Sequence, residues 1–225
     1  MIYLDFSGTM FASFHADIKG GDAPNKEYIR HLCINTIRSY NQQHRHEFGE
    51  MVICYDSRSW REIPFPLYKW VRKQGRKETS DNFDWDEIWA MFSEIQQDIT
   101  DHFPYRTIQA MGAEADDVIG VLAKQSDERS LVVSNDKDFG ALTKHPLISQ
   151  FRPMSKTFVD LDDPVRFEFD LIVTGDKDDG IPSIKCDDDF LQMNYLAKQN
   201  GDKVVRASPI SKKFKDELWA AYNGT

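Results

Sequence analysis

The sequence predicts an α/β fold with a mainly parallel central sheet flanked by helices, followed by a small C-terminal helical region. Three observations predict it. Short runs of β-branched and other apolar residues alternate with longer stretches of helical periodicity. Four of those runs end on an acidic residue or lead straight into an acidic turn. Beyond residue 161 only helical patterns remain.

The strand candidates are Met1–Phe6, Met51–Asp56, Arg106–Met111 and Leu131–Ser134, short enough and apolar enough to be buried on both faces. Ile148–Arg152 and Thr157–Leu161 flank Pro153 and read as a peripheral hairpin. Helical spacing is clearest over Asn25–His44, Trp85–Phe103, Glu114–Lys124, Asp187–Gln199 and Ser211–Tyr222. Phe65–Arg76 has a similar pattern, with Gly75 near its end. At 225 residues the chain suits one domain with an appendage, divided here as 1–175 and 176–225. No repeat or low-complexity segment is visible.

Composition narrows the class. Hydrophobic residues make up 40% and charged residues 29%, as in ordinary globular proteins. No apolar run approaches the ~20 residues that span a bilayer. The start, Met1-Ile2-Tyr3-Leu4-Asp5, has no basic leader. Cys33, Cys54 and Cys186 are odd in number and widely spaced, which suits buried thiols in a reducing compartment such as the cytoplasm. His44 and His46 sit in a polar stretch and read as solvated loop.

The net charge of −9 argues against nucleic acid, but its distribution does not. From Ser57 to Lys77 the chain carries seven basic residues against one acid, Glu62. Such an asymmetry steers a polyanion to one part of an acidic protein.

In a parallel sheet ligands gather beyond the carboxyl ends of the strands. The first run ends at Asp5 and the second at Asp56. The third leads into Glu114, Asp116 and Asp117, and the fourth into Asp136 and Asp138. A later turn adds Asp176 and Asp179. Any one of these is accounted for as a turn residue or helix cap. Together at corresponding strand ends they are not. Two carboxylates about 5 Å apart repel by roughly 3 kcal/mol at an effective dielectric of 20. Cations relieve that repulsion, and an all-oxygen donor set without His or Cys favours Mg²⁺ or Mn²⁺. Two such ions about 3.5–4 Å apart make the clamp used in displacement at phosphorus. Acids at the sheet edge beside a basic segment point to a phosphodiester hydrolase.

Glu114-Ala115-Asp116-Asp117, Ser134-Asn135-Asp136-Lys137-Asp138-Phe139 and Gly175-Asp176-Lys177-Asp178-Asp179-Gly180-Ile181-Pro182 resemble motifs of the flap endonuclease and 5′-3′ exonuclease family. They occur in family order, and the resemblance runs from Asp5 to about Ala220. It implies a PIN-like fold and two Mg²⁺ ions, replaceable by Mn²⁺. Asp5, Asp56, Glu114, Asp116 and Asp136 would hold the first ion, and Asp138, Asp176 and Asp179 the second. Asp117 matches a further acid of bacterial and phage members. Tyr68-Lys69-Trp70-Val71-Arg72 resembles the family's Tyr-Lys-x-x-Arg. It implies that Lys69 and Arg72 hold the scissile phosphate from a helix, with Tyr68 stacking on a base. Residues 57–86 would form an arch admitting a free 5′ end, with Arg58, Lys73, Arg76 and Lys77 on the nucleic acid.

The implied substrates are branched or nicked DNA and RNA–DNA hybrids, and the implied task is removal of RNA primers in replication. Single-strand-binding protein and the replication machinery are candidate partners, and a host cell's cytoplasm is the expected location for a phage-encoded member. No membrane is expected. After Ile184 the family's glycine-rich hairpin is replaced by Lys185-Cys186-Asp187-Asp188-Asp189. Duplex anchoring would then fall to Lys198, Lys203, Arg206, Lys212, Lys213 and Lys215.

Two other readings compete. Asp5-Phe6-Ser7-Gly8-Thr9 resembles the nucleophile motif of haloacid-dehalogenase phosphatases, although Ser7 stands where their acid should be. A nucleic-acid-binding relative without metals would show gaps among the acids, and none is present.

Overall fold

The computed structural model describes residues 1–20, 23–78 and 83–224, so residues 79–82 of the expected arch lie outside the described residues. The chain forms two units, Met1–Ser59 with Asp84–Asp162, and Trp60–Phe83 with Asp163–Thr225.

The first unit is built on a six-stranded sheet of β1 (Ile2–Asp5), β2 (Met51–Tyr55), β3 (Arg106–Gln109), β4 (Ser130–Val133), β5 (Ile148–Arg152) and β6 (Thr157–Phe158). Their order is β3-β2-β1-β4-β5-β6. The first five run parallel, and β6 alone is antiparallel. The chain winds outward from β1 in both directions, so the sheet has a switch point between β1 and β4. Every residue of β2 and β4 is buried, as two-sided covering requires. Tyr3, Val52, Cys54 and Val132 pack on one face with Val118, Ile119 and Ala123 of α5 (Ala115–Gln125). Ile2, Leu4 and Ile53 alternate with them and are fully buried. β5 and β6 form the expected hairpin at the edge of the sheet, pairing antiparallel at Phe151↔Phe158 and Arg152↔Thr157, and β5 also pairs with β4 from Ser130↔Ile148 to Val133↔Phe151, so the main sheet extends through the hairpin.

Three further helices belong to this unit: α1 (Phe6–Asp17), α2 (Lys26–Phe48) and α4 (Trp85–His102). Asn25 caps α2 by accepting from the Tyr28 amide, and Gly49 ends it at φ +84°. Asp84 caps α4 by accepting from Asp86 and Glu87. Arg30 pairs with Asp98 and Lys26 with Glu94, tying α2 to α4. α1 was not expected from the sequence. Its buried residues, Phe6, Thr9, Met10, Ser13 and Phe14, follow helical spacing, but two are small and polar, so hydrophobicity alone does not reveal the stripe. His44 is also a correction. It lies within α2, buried, with its ring 4.7 Å from that of Phe151, and burial lowers its pKa.

The second unit contains α3 (Trp70–Glu78), α6 (Pro164–Thr174), α7 (Phe190–Gln199) and α8 (Lys212–Tyr222). The boundary after Asp162, rather than the expected 175/176, follows from α6 packing on α8. Phe169 meets Trp219 edge-on at 5.0 Å, and Arg166 bridges Asp170 and Asp216. Asp163-Pro164 is a strong start signal for α6, with Asp163 accepting from the Arg166 amide. α3 begins five residues later than expected, because Lys69 adopts φ +54° and breaks the pattern that starts at Phe65. Cys33 and Cys54 are buried free thiols, raised to about 11 and about 12 by desolvation and so unreactive. Cys186 is half-buried and free.

Candidate metal and nucleic-acid site

Parallel pairing fixes the edge on which the first unit's acids lie. Asp5 is the last residue of β1, beside Cys54, and Asp56 follows the last residue of β2. Glu114 stands at the N-cap of α5, and Asp136 lies three residues beyond β4. Hydroxyls and amides hold this edge together. Ser134 Oγ donates to Asp5 Oδ2 at 2.8 Å and accepts from the Asp136 amide at 3.1 Å. Ser7 on α1 donates to Asp56 Oδ2, while the Ala115 amide donates to Asp56 Oδ1 at 2.7 Å. Asp56 thus joins α1 to the positive N-terminus of α5.

Burial raises the Asp5 carboxyl to about 6, helped by the nearby Asp56 and Asp136 charges and opposed by the Ser134 and Gly8 hydrogen bonds. Carboxylates alone, with one of them held toward its neutral form by burial and its neighbours, fit a hard divalent cation. Among the described residues no three His, Cys, Asp or Glu side chains stand in a finished ligating group. Asp5 and Asp56 share that edge, and hydroxyl and amide donors hold their carboxylates.

Glu114 and Asp117 form a capping box, with the Glu114 amide donating to Asp117 Oδ2 at 3.1 Å. Ser59 donates to the buried Glu114 Oε2 at 2.9 Å. Asp117 therefore has a structural task in α5, and Asp116 is half-buried in the same first turn. Asp138 is exposed, and its amide donates to Asp136 Oδ1 at 2.9 Å. A cavity of about 280 Å³ opens beside Asp5 and Ser134, lined further by Thr9, Thr36, Tyr40 and Pro153. Arg58 belongs to this unit and is exposed.

In the second unit Asp176 and Asp179 sit in a tightly closed loop. Asp176 and Ile181 exchange backbone hydrogen bonds of 2.8 and 2.7 Å, and Asp176 Oδ1 accepts from Asp178 at 2.8 Å and Asp179 at 3.3 Å. This repeats the turn made by Asp136-Lys137-Asp138. Asp179 draws in the basic segment: Lys69 Nζ lies 3.6 Å from its Oδ1, and Tyr68 donates to its Oδ2 at 3.2 Å. The Lys69 amide donates to the Asp179 carbonyl at 2.8 Å. Tyr68 is 2% exposed, with Lys69 Nζ at 4.9 Å and the Arg61 guanidinium at 5.8 Å from its ring centroid. The expectation that Tyr68 stacks on a base is corrected, because no free ring face is left for one. Lys69 precedes α3 and is not on it; Arg72, Lys73 and Lys77 are exposed along α3. Lys73 pairs with Glu62 at 2.7 Å. Arg76 is half-buried, and burial together with Arg72 one turn away lowers its pKa. Of the other cations, Lys215 pairs with Asp170 and Lys213 with Glu217, while Lys198, Lys203, Arg206 and Lys212 are exposed.

Gly180 fixes the contact between this loop and Lys69. It lies at φ +77°, and a Cβ there would come within 2.7 Å of the Leu67 carbonyl. Gly180→Ala should cost on the order of 2 kcal/mol in a urea melt. An unchanged melt would show that the close approach of Gly180 to the Leu67 carbonyl adds nothing to stability.

Residues 1–168 match the family described as "5'-3' exonuclease, N-terminal resolvase-like domain". The chain belongs to the 5′-3′ exonuclease family. It is 29% identical over 198 residues to the ribonuclease H of Enterobacteria phage T4, covering 83% of this chain but only 64% of that relative's length. The bacteriophage T5 flap endonuclease, solved in complex with DNA and metal ions, superposes with a TM-score of 0.64 at 16% identity, covering 99% of this chain and 84% of the other. A T5 structure co-crystallised with metal ions gives 0.63 at 17% identity, covering 98% and 84%. These likenesses establish the mixed α/β, PIN-like fold expected from the sequence.

The sequence gives no sign that Ser7, Ser59 and Ser134 are hydroxyl donors to these acids, or that the side chains of Gln109 and Gln150 reach their backbone. Neutral residues carry no charge pattern, and only their neighbours in space reveal them.

Proposed function

We propose that this protein is a divalent-metal-dependent, structure-specific 5′ nuclease acting as exonuclease, flap endonuclease and ribonuclease H. The observation that carries the reading is the convergence of Asp5, Asp56, Glu114 and Asp136 on one edge of a parallel sheet within a chain of this family.

Asp5, Asp56, Glu114, Asp116 and Asp136 would hold one Mg²⁺, and Mn²⁺ would substitute. The family pattern, not a distance, assigns Asp138, Asp176 and Asp179 to a second. Bound divalent ions supply a water of lowered pKa and neutralise charge on the leaving oxygen. The chain's own residues orient and discriminate. Ser134 and Ser7 aim the Asp5 and Asp56 carboxylates through hydrogen bonds, and the N-terminus of α5 anchors Asp56. Lys69 and Arg72 supply positive charge for the phosphoryl oxygens. Lys73, Arg76, Lys77 and Arg58 add backbone contacts that carry affinity without sequence preference. Asp117 is assigned to the helix cap. Ser7 donates to Asp56 and so does not stand as the general acid that a phosphatase reading needs.

Branched or nicked DNA and RNA–DNA hybrids with a free 5′ end are the proposed substrates, and removal of RNA primers during phage replication the proposed task. Among the described residues no helix is long and apolar enough to cross a membrane. Action in the host cytoplasm beside single-strand-binding protein and the replication machinery completes the reading. A 5′-flap duplex and an RNA–DNA hybrid, each labelled at both ends, test it. Cleavage from the 5′ side with Mg²⁺ and none in EDTA is expected. Cleavage undiminished by EDTA, or confined to 3′ ends, would refute it.

A further inference from the structure

The loop that carries Asp136 is held from the neighbouring strand by a side chain with no charge and no exposure. Gln150 of β5 lies beside Val132 of β4 and is completely buried. Its Nε2 donates to two backbone carbonyls, Asp136 at 2.6 Å and Ser134 at 3.1 Å. Its Oε1 has no partner among the described residues. Reversing the carboxamide would press that oxygen against both carbonyls, so the two acceptors themselves set its orientation. A buried glutamine that leaves one polar atom unmatched is costly where an apolar side chain would fill the same space. Its benefit lies in the two carbonyls it fixes.

The same device occurs on the other side of the acidic edge. Gln109, the last residue of β3, lies beside Tyr55 of β2, and its Nε2 donates to the Asp56 carbonyl at 2.6 Å. In both cases a glutamine on a flanking strand grips the main-chain carbonyl of an acid just past the end of the adjacent strand. A carbonyl so gripped resists rotation about ψ, which fixes the direction of the Cα–Cβ bond that carries the carboxylate. The Asp136 peptide is fixed further by the Ser134 hydroxyl at its amide.

We propose that Gln150 and Gln109 are positioning residues that preset the Asp136 and Asp56 carboxylates for a divalent cation. The inference rests on the nuclease reading above. Groups that orient metal ligands without touching the metal govern affinity by about 10–100-fold. Gln150 has the larger share, because it is buried and grips two carbonyls, whereas Gln109 is exposed and grips one.

The test is Mn²⁺ binding to the full chain, followed by the paramagnetic resonance of free Mn²⁺, alongside cleavage of the flap duplex over a range of Mn²⁺ concentrations. Gln150→Met, close in volume and without a donor, should raise the dissociation constant and the half-saturating Mn²⁺ about tenfold. Its rate at saturating Mn²⁺ should recover to within a few-fold of the parent. Gln109→Ala should shift the same constants by a smaller factor. Gln97→Ala is the control, because its amide donates to Asp101 on its own helix, away from the acidic edge, and it should shift nothing. A purely structural role lowers the melting temperature and the folded fraction but leaves the dissociation constant per folded molecule unchanged. That result for Gln150→Met would overturn the proposal. Asp136→Asn separates the two levels of inference. If it abolishes Mn²⁺ binding while Gln150→Met does not weaken it, positioning fails and the nuclease reading stands. If the parent chain binds no Mn²⁺, both fall.

Discussion

Asp5→Asn is expected to lose cleavage by more than about a hundredfold while making the metal-free protein more stable at neutral pH. The first half follows from its proposed place as a metal ligand: groups that only orient a ligand are already worth about 10–100-fold, so a ligand should exceed them. The second half follows from charge. Burial and the Asp56 and Asp136 carboxylates raise Asp5 from the model-compound value of 3.8 to about 6. Folding in EDTA therefore takes up a proton between about pH 4 and pH 6. Above pH 6 the folded chain must bear a carboxylate it disfavours, at a cost approaching about 3 kcal/mol for a shift of roughly two units. The wild-type protein in EDTA should thus lose this contribution as pH rises from 4 through 6. Asparagine removes the charge while keeping an oxygen for the Ser134 hydroxyl. Melts of both proteins in EDTA should differ most near pH 7.5 and converge near pH 4. Added Mg²⁺ should then stabilise the wild type and not the variant. A variant less stable than the wild type throughout would make Asp5 a structural residue.

That prediction draws on a site only partly legible in the sequence. Acids ending buried strands announce themselves, because a run such as Met51–Tyr55 has one plausible fate and Asp56 follows it directly. Parallel pairing then forces Asp5, Asp56 and Asp136 to one edge. Charge density also marks the basic segment. What stays hidden depends on contacts between residues distant in sequence. Ser134 reaches Asp5 across 129 positions, and Tyr68 reaches Asp179 across 111. The periodicity from Phe65 gives no warning that Lys69 turns left-handed and delays α3, since that conformation is imposed by the Asp179–Gly180 backbone. α1 escapes for a different reason. Thr9 and Ser13 occupy buried positions that a pattern of large apolar residues would leave blank. Tyr68 shows the opposite error, where a motif suggested an exposed ring and packing covered it.

Lys69→Ala is expected to lower single-turnover cleavage by on the order of a hundredfold and to weaken binding only slightly, by analogy with loss of one oriented donor to a developing oxyanion. In the free protein Lys69 Nζ is already committed to Asp179, at 3.6 Å, and lies over the Tyr68 ring. Its charge is thus held in place before substrate arrives, and little ordering entropy remains to be lost in the transition state. The backbone offers a control that charge arguments alone lack. Lys69 sits at φ +54°, a conformation that costs any residue with a Cβ about 1–2 kcal/mol. Alanine keeps that cost, so Lys69→Ala changes the side chain and leaves the strain. Lys69→Gly relieves it and should be the more stable of the two variants by about 1 kcal/mol. If the ammonium acts on the reacting phosphate, both variants share the same loss of turnover in spite of that difference. Lys77→Ala, on the exposed length of α3, should instead weaken binding alone and reduce the salt slope by about 0.7–0.9. Rapid-quench rates and salt-dependent binding on one flap substrate measure all three. Were Lys69→Ala to change affinity and not turnover, Lys69 would be a docking contact like Lys77. Were Lys69→Gly to restore turnover, the ammonium would not be needed for it, and the loss in Lys69→Ala would come from a displaced backbone and not from charge.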